Sequence, residues 1–251
     1  MAPVHVVCLS GGKDSTAMAL RLAEINPGVA YRYVITPTGN ELPEMDAHWA
    51  LLERMLGAKL ERLPAPTLEA LMAAQGALPS TRMRWCTRMI KIAPVRVFYA
   101  GLPRGSVAYV GLRADEEERG GLFGDGIIQS FPLRQWGWGL AEVTAYLKAR
   151  GVSIPSRTDC AFCPFQSADN WFTLWRDHPD VFARAEGWER AVGHTFRSPT
   201  AKHGRWAVAL EDMRAQFEAG MLTREEVRRR SRLAVLPGVD DVETACRVCR
   251  L

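Results

Sequence analysis

Six residues near the N-terminus, Ser10-Gly11-Gly12-Lys13-Asp14-Ser15, set two glycines, an ammonium, a carboxylate and two hydroxyls between an apolar run and a helical pattern. Groups of these types suit a polyphosphate. Glycines let backbone N–H groups converge on an anion, and a helix N-terminus adds about half a positive charge. Ser10 and Ser15 supply further donors, Lys13 a full charge, and Asp14 can hold a magnesium ion bridging phosphate oxygens. The spacing differs from the Walker A loop, which puts four residues between its first glycine and its Gly-Lys pair. A Gly-Gly turn that merely joins strand to helix is the plainer alternative.

The six cysteines carry a second pattern. Cys160/Cys163 and Cys246/Cys249 are C-x-x-C pairs, while Cys8 and Cys86 stand alone. A cytosolic chain keeps its thiols reduced, so paired spacing points to metal or redox chemistry rather than a disulfide framework. C-x-x-C brings two thiolates within one turn, which suits zinc and iron–sulfur centres alike, and two thiolates do not complete either. For zinc, His178 is a candidate to join them. Cys246 and Cys249, in the polar tail, can add a ligand, form a redox pair activated by Arg247 and Arg250, or stand idle. Cys8 sits in an apolar run and reads as a small core hydrophobe.

The elements that must position these groups alternate. Val4–Leu9 is an apolar run of the kind buried on both faces of a sheet. A helix follows, with Asp14 or Ser15 as its N-cap and Asn26-Pro27-Gly28 as its stop. Strands are expected at 31–36, near 60–63 and at 106–112, with helices over 44–56 and 140–151. Strand and helix in alternation predict a doubly wound α/β fold on a mostly parallel sheet. Thr38 and Gly39 close the second strand, where they are either an ordinary turn or ligand contacts at a strand end. Arg113 and Arg119 either grip phosphate oxygens or pair with Asp115 and the three glutamates between them. After Pro155 the chain turns aromatic, cysteine-bearing and helical, so the expected division is a nucleotide-binding domain at 1–155 and a C-terminal region at 156–251. Trp171, Phe172, Trp175, Phe182 and Trp188 recur at helical spacing and are expected in the core.

Composition sets the class. With 47% hydrophobic and 24% charged residues in 251, the chain can bury a core without staples. No apolar run approaches the roughly 20 residues that span a bilayer, and the N-terminus lacks a basic n-region, so the cytoplasm is the expected compartment. Between Lys202 and Arg232 stand eight Lys/Arg against five Asp/Glu, most of the net charge of +4. A solvated helix face explains this, and a nucleic-acid surface is the sharper reading.

In its motifs the sequence resembles a known family. "LSGGKDST" is similar to the pyrophosphate-binding loop of the ATP pyrophosphatases, the adenine nucleotide alpha-hydrolase superfamily. The likeness is to its phosphoadenosine phosphosulfate (PAPS) reductase-like members, which include the ATP pyrophosphatase component of DNA phosphorothioation systems. "PTGNELPE" resembles the D-T-G-x-x-x-P-E segment, with Pro37 replacing the aspartate. "RWCTRMIKIAP" resembles the C-x-x-x-x-K-x-x-P segment, "GLRADEEER" the G-x-R-x-x-E-S segment with Glu118 for serine, and "PLRQW" the stretch leading to the late cysteines. These cover about two-thirds of the chain in order.

The resemblance implies that ATP is cut between its α- and β-phosphates. Ser10, Gly11, Gly12, Lys13, Asp14 and Ser15 would hold pyrophosphate, Thr38 and Gly39 would touch the nucleotide, and Lys13, Asp14 and Arg113 would be catalytic. An intact loop implies ATP-dependent activation rather than the binding of an already activated sulfonucleotide. It also implies that Cys86, Cys160 and Cys163 hold a 4Fe-4S cluster, since Trp85 stands where four-ligand members carry a further cysteine. An iron site left open in this way can carry sulfide. The implied partners are ATP, a nucleic-acid acceptor (tRNA or DNA), and a sulfur donor such as a cysteine desulfurase. A thiol-dependent sulfonucleotide reductase relying on Cys246 or Cys249, and a nucleotide-binding assembly subunit, are the rival expectations.

Overall fold

The computed structural model describes residues 2–116, 126–199 and 203–233. Two compact units divide them: one takes Met1–Thr67 and Thr87–Thr158, the other Leu68–Cys86 and the chain from Asp159.

The first unit holds five short strands, β1 (His5–Cys8), β2 (Tyr31–Ile35), β3 (Leu60–Arg62), β4 (Val107–Tyr109) and β5 (Ile128–Ser130). All neighbours pair in parallel, in the order β3-β2-β1-β4-β5. The helices along the chain are α1 (Lys13–Ile25), α2 (Pro43–Leu56), α3 (Leu68–Gln75), a π-helical stretch (Thr87–Ile92) running into α4 (Ala93–Ala100), α5 (Pro132–Gln135) and α6 (Leu140–Ala149). All but α3 belong to this unit. The result is the doubly wound α/β fold that the alternation predicts.

β1 is flanked on both sides, His5 pairing with Tyr31 and with Val107, which explains why its valines face no water. Successive side chains point to opposite faces of a strand. Val7 joins Leu9, Tyr33 and Ile35 in a core with Met18 and Leu22 of α1, Met45, Trp49 and Leu52 of α2, and Val143 and Leu147 of α6. Val6 joins Val34 and Ala108 on the other face, with Tyr99 and Phe98 of α4. Each large apolar side chain so buried contributes about 1.5–3 kcal/mol. α2 begins on Pro43, whose fixed φ suits a first turn, and ends at Gly57 in the left-handed conformation (φ 62°).

Three local expectations change. α1 is capped by Gly12 in an extended conformation (φ −72°, ψ 163°), so Asp14 and Ser15 lie inside the first turn rather than capping it. The expected strand at 106–112 contracts to Val107–Tyr109, because the Leu112 N–H turns back to the Val110 carbonyl (2.9 Å). β5 escapes sequence reading because it is a three-residue edge strand with little to mark it.

The second unit adds α7 (Ala168–Asp177), α8 (Pro179–Val192), α9 (Leu210–Glu218) and α10 (Arg224–Leu233) to α3. Its core is aromatic, as the helical spacing predicts: Phe162, Trp171, Phe182 and Phe196 are fully buried. Phe172 meets Phe217 edge-to-face at 5.1 Å. A buried carboxylate ties the helices: Glu189 of α8 accepts from the Phe196 N–H (2.9 Å) and from the Leu210 N–H at the start of α9 (2.7 Å). Burial pushes its pKa up to about 7.

Candidate functional site

In a doubly wound sheet, ligands bind at the carboxyl ends of strands where successive connections diverge. Here the divergence lies between β1 and β4: α1 leads from β1 toward β2, while the chain after β4 leads to β5 on the other side. The loops after these two strands carry Ser10–Gly12 and Arg113.

The first loop is held tightly. Gly11 adopts φ +81°, and a Cβ there would stand 2.5 Å from Met45 Cε and 2.9 Å from Trp49 Nε1. Both its conformation and its neighbours demand glycine. No side chain caps the first turn of α1, so its N–H groups remain available to an anion. The serines brace the turn: Ser15 Oγ donates to the Gly12 carbonyl (3.1 Å) and accepts from the Ser10 N–H (3.2 Å). The Gly12 N–H donates to Ser10 Oγ (3.2 Å).

The loop after β4 closes against the same helix end. A Cβ on Gly111 would meet the Ser15 backbone N and Cα at 3.0 Å, so only glycine allows this approach. Two residues on, Arg113 Nη1 donates to Asp14 Oδ2 at 2.9 Å. Arg113 also pairs with Asp115 through Nε (2.8 Å) and stands 3.9 Å from Glu116. The two readings of Arg113 therefore meet in one place, since the guanidinium joins its neighbouring acids and the start of α1 together. Arg134, from the "PLRQW" segment, donates to the Glu116 and Arg113 carbonyls and fixes this loop.

Asp14 is the residue most open to a cation. Burial raises its pKa, opposed by Arg113 and then Lys13. Its second oxygen, Oδ1, is buried without a hydrogen-bond partner. A carboxylate oxygen in that position is costly unless something positive meets it, so the donor set fits magnesium.

Thr38 and Gly39 follow β2. Thr38 donates through both N–H (2.6 Å) and Oγ1 (2.7 Å) to Glu41 Oε1. Gly39 is left-handed (φ +68°), and a Cβ would lie 2.6 Å from Thr67 Cγ2. Sequence reading missed His48, buried in α2, which hydrogen-bonds to the Gly11 backbone and stands 3.5 Å from Thr16 Oγ1. The signal was available: Met45, His48 and Trp49 share one helical face.

In the second unit, Cys160 and Cys163 lie side by side. The Cys160 contact, followed by burial, raises the Cys163 thiol pKa well above its usual value. The Cys163 N–H returns to the Cys160 carbonyl (3.2 Å), and Gln166 Nε2 binds the Ala161 carbonyl. Among the described residues no group of three or more His, Cys, Asp or Glu is arranged to hold a metal ion. The C-x-x-C pair thus fits a metal centre as two ligands, with neither Cys86 nor His178 completing it. Cys246, Cys249 and Arg119 lie outside the described residues. Trp136 and Trp138 pack onto the sheet core, and Trp206 against Phe217. No described helix is long and apolar enough to cross a membrane.

The family model of the phosphoadenosine phosphosulfate reductase domain matches residues 4–156. No curated protein matches the chain. Among solved structures, phosphoadenylyl-sulfate (PAPS) reductase from Candida auris in its phosphate complex is similar at 16% identity, over 61% of this chain and 76% of that one, with TM-score 0.48. The U34-tRNA thiolase NcsA from Methanococcus maripaludis, with its 4Fe-4S cluster, is similar at 16% identity over 80% and 76%, TM-score 0.46. The NMN synthetase from Francisella tularensis is similar at 16% identity over 96% and 90%, TM-score 0.42. These three likenesses carry no argument about the reaction.

Proposed function

Because the chain belongs to the phosphoadenosine phosphosulfate reductase domain family, we propose that it is an ATP pyrophosphatase of that family. It cuts ATP between the α- and β-phosphates, retains pyrophosphate in the loop after β1, and passes the AMP moiety to an acceptor oxygen in the course of sulfur transfer to nucleic acid. One observation carries the reading: Asp14 and Arg113, 99 residues apart, are paired at the start of α1. Beside them Asp14 Oδ1 is left without a partner.

The residues divide the work by charge. The Gly11–Gly12 backbone and the first-turn N–H groups of α1 cradle the β- and γ-phosphates, with Ser10 and Ser15 turning their hydroxyls from each other to the ligand. Lys13 offsets the charge that builds on pyrophosphate as it departs, and Arg113 holds Asp14 ionised and aimed. Thr38 and Gly39 flank the nucleotide at the end of β2. Magnesium, when bound, neutralises phosphate charge, and Asp14 would hold it. Fixed donors and charges of this kind are the main source of rate in phosphoryl transfer. Adenylation turns a poor leaving group on the acceptor into AMP, which a sulfur nucleophile can displace.

Cys160 and Cys163 are assigned two positions of a metal centre, a 4Fe-4S cluster with Cys86 or zinc with His178. No step of ATP cleavage depends on it. A sulfur donor such as a cysteine desulfurase and a tRNA or DNA acceptor are the partners this chemistry requires. The test is anaerobic incubation with ATP and magnesium, with and without bulk tRNA or DNA, beside Lys13→Ala. AMP and pyrophosphate that vanish in the variant support the reading; intact ATP in every arm refutes it.

The family match itself favours a second reading, reduction of a sulfonucleotide by a thiol with release of sulfite. It predicts sulfite from PAPS and a reductant, lost on replacing Cys246 or Cys249.

A further inference from the structure

α2 turns one face toward Gly11. Met45 and Trp49 stand where a Gly11 side chain would be, and His48, between them at helical spacing, reaches the backbone of that residue. His48 is only 4% exposed, and burial holds its pKa below the usual value. A neutral imidazole has one N–H to give. Its bond to Gly11 favours the protonated ring, and a protonated ring can only donate, so the acceptor is the Gly11 carbonyl.

The consequence follows from peptide geometry. In a trans peptide the C=O and N–H point in opposite directions. A Gly11 carbonyl held toward α2 therefore sends the Gly12 N–H the other way, where it now meets Ser10 Oγ at 3.2 Å. Gly12 caps α1, so this N–H stands beside the free donors of the helix start. Without a tether the Gly11–Gly12 peptide can rotate readily, because neither residue has a Cβ to resist it. Thr16 Oγ1, 3.5 Å from His48 Nε2, keeps the ring at the loop.

We propose that His48 is a positioning residue of the phosphate loop, holding the Gly11 carbonyl so that the Gly12 N–H points at bound pyrophosphate. This rests on the pyrophosphatase reading above and adds to it a determinant of anion affinity outside the loop.

The test is calorimetric titration of magnesium pyrophosphate into wild type, His48→Phe and His48→Gln, with a melting curve for each. Phenylalanine keeps the bulk and loses the donor; glutamine keeps a donor. One hydrogen bond of orientation corresponds to about a tenfold loss of affinity in His48→Phe, and to within about threefold of wild type in His48→Gln. Wild-type affinity in His48→Phe, or equal weakening in both variants, overturns the proposal while leaving the pyrophosphatase reading intact. A wild type that binds no pyrophosphate overturns both. Should His48→Phe not fold, wild-type protein with nitrogen-15-labelled histidine decides: the His48 ring resonances should shift on saturation with magnesium pyrophosphate, and unmoved resonances overturn the proposal.

Discussion

Around Asp14 the first unit gathers groups from far apart in the chain: Arg113 pairs with it across 99 residues, and Gly111 presses on the Ser15 backbone. Around Cys163 the second unit offers neighbours in sequence, Cys160 and Asp159. The contrast follows from what each ligand demands. A polyphosphate is held in water by many weak donors, so the protein competes only if those donors are already fixed, and a parallel sheet fixes them where its connections diverge. A thiol pair needs only one turn to form, and further ligands must come from outside that turn.

Variants that remove charge from the first region should have the largest effect. Lys13→Ala and Arg113→Ala should each slow AMP formation about 10²–10³-fold, as expected for donors to developing phosphate charge, measured by nucleotide chromatography. A change below about threefold would mean that the gathered charges do not serve ATP.

Next in size is metal content. Anaerobically purified protein should carry iron with sulfide, or zinc, and Cys160→Ser and Cys163→Ser should each lose it by elemental analysis while Lys13→Ala retains it. Metal retained in both cysteine variants would show that the local pair is not a ligand set.

Glycine packing sharpens the comparison further. Gly11→Ala forces a left-handed alanine into Met45 and Trp49, which should cost about 1–3 kcal/mol and lower Tm by about 5–10 °C. Gly57→Ala, also left-handed but with nothing within 4 Å of its Cβ, should cost less. Equal losses would remove the case for close packing beneath the loop.

The smallest effect is in the second unit. The Glu189 carboxyl titrates at about 7 in the fold against 4.5 when free, so between those values the folded chain keeps a proton that the unfolded chain has lost. Stability should therefore fall as pH rises through that window, and Glu189→Gln should flatten the fall by a few degrees of Tm. An unchanged pH profile in the variant would exclude Glu189 as its source.

Much of this was legible in the sequence, for identifiable reasons. Buried parallel strands announce themselves as apolar runs, so β1 and β2 stood out from Val6, Val7, Val34 and Ile35. The loop was legible because Gly-Gly-Lys-Asp has few other uses. The pairing of Asp14 with Arg113 was not, since it depends on which strand lies beside β1. His48 was hidden among polar neighbours in "EMDAHWALLE", where only the shared face with Met45 and Trp49 marks it as inward. Gly12 displaced the expected caps because extended backbone, rather than a side chain, starts α1. The metal set was expected from the resemblance alone, and spacing within C-x-x-C says nothing about a third ligand.

The central claim is the bond that is cut. Phosphorus NMR of ATP incubated anaerobically with the protein, magnesium and bulk tRNA or DNA distinguishes the products directly. The account predicts AMP and pyrophosphate in equal amounts; ADP with phosphate, or ATP unchanged in every condition, would contradict it.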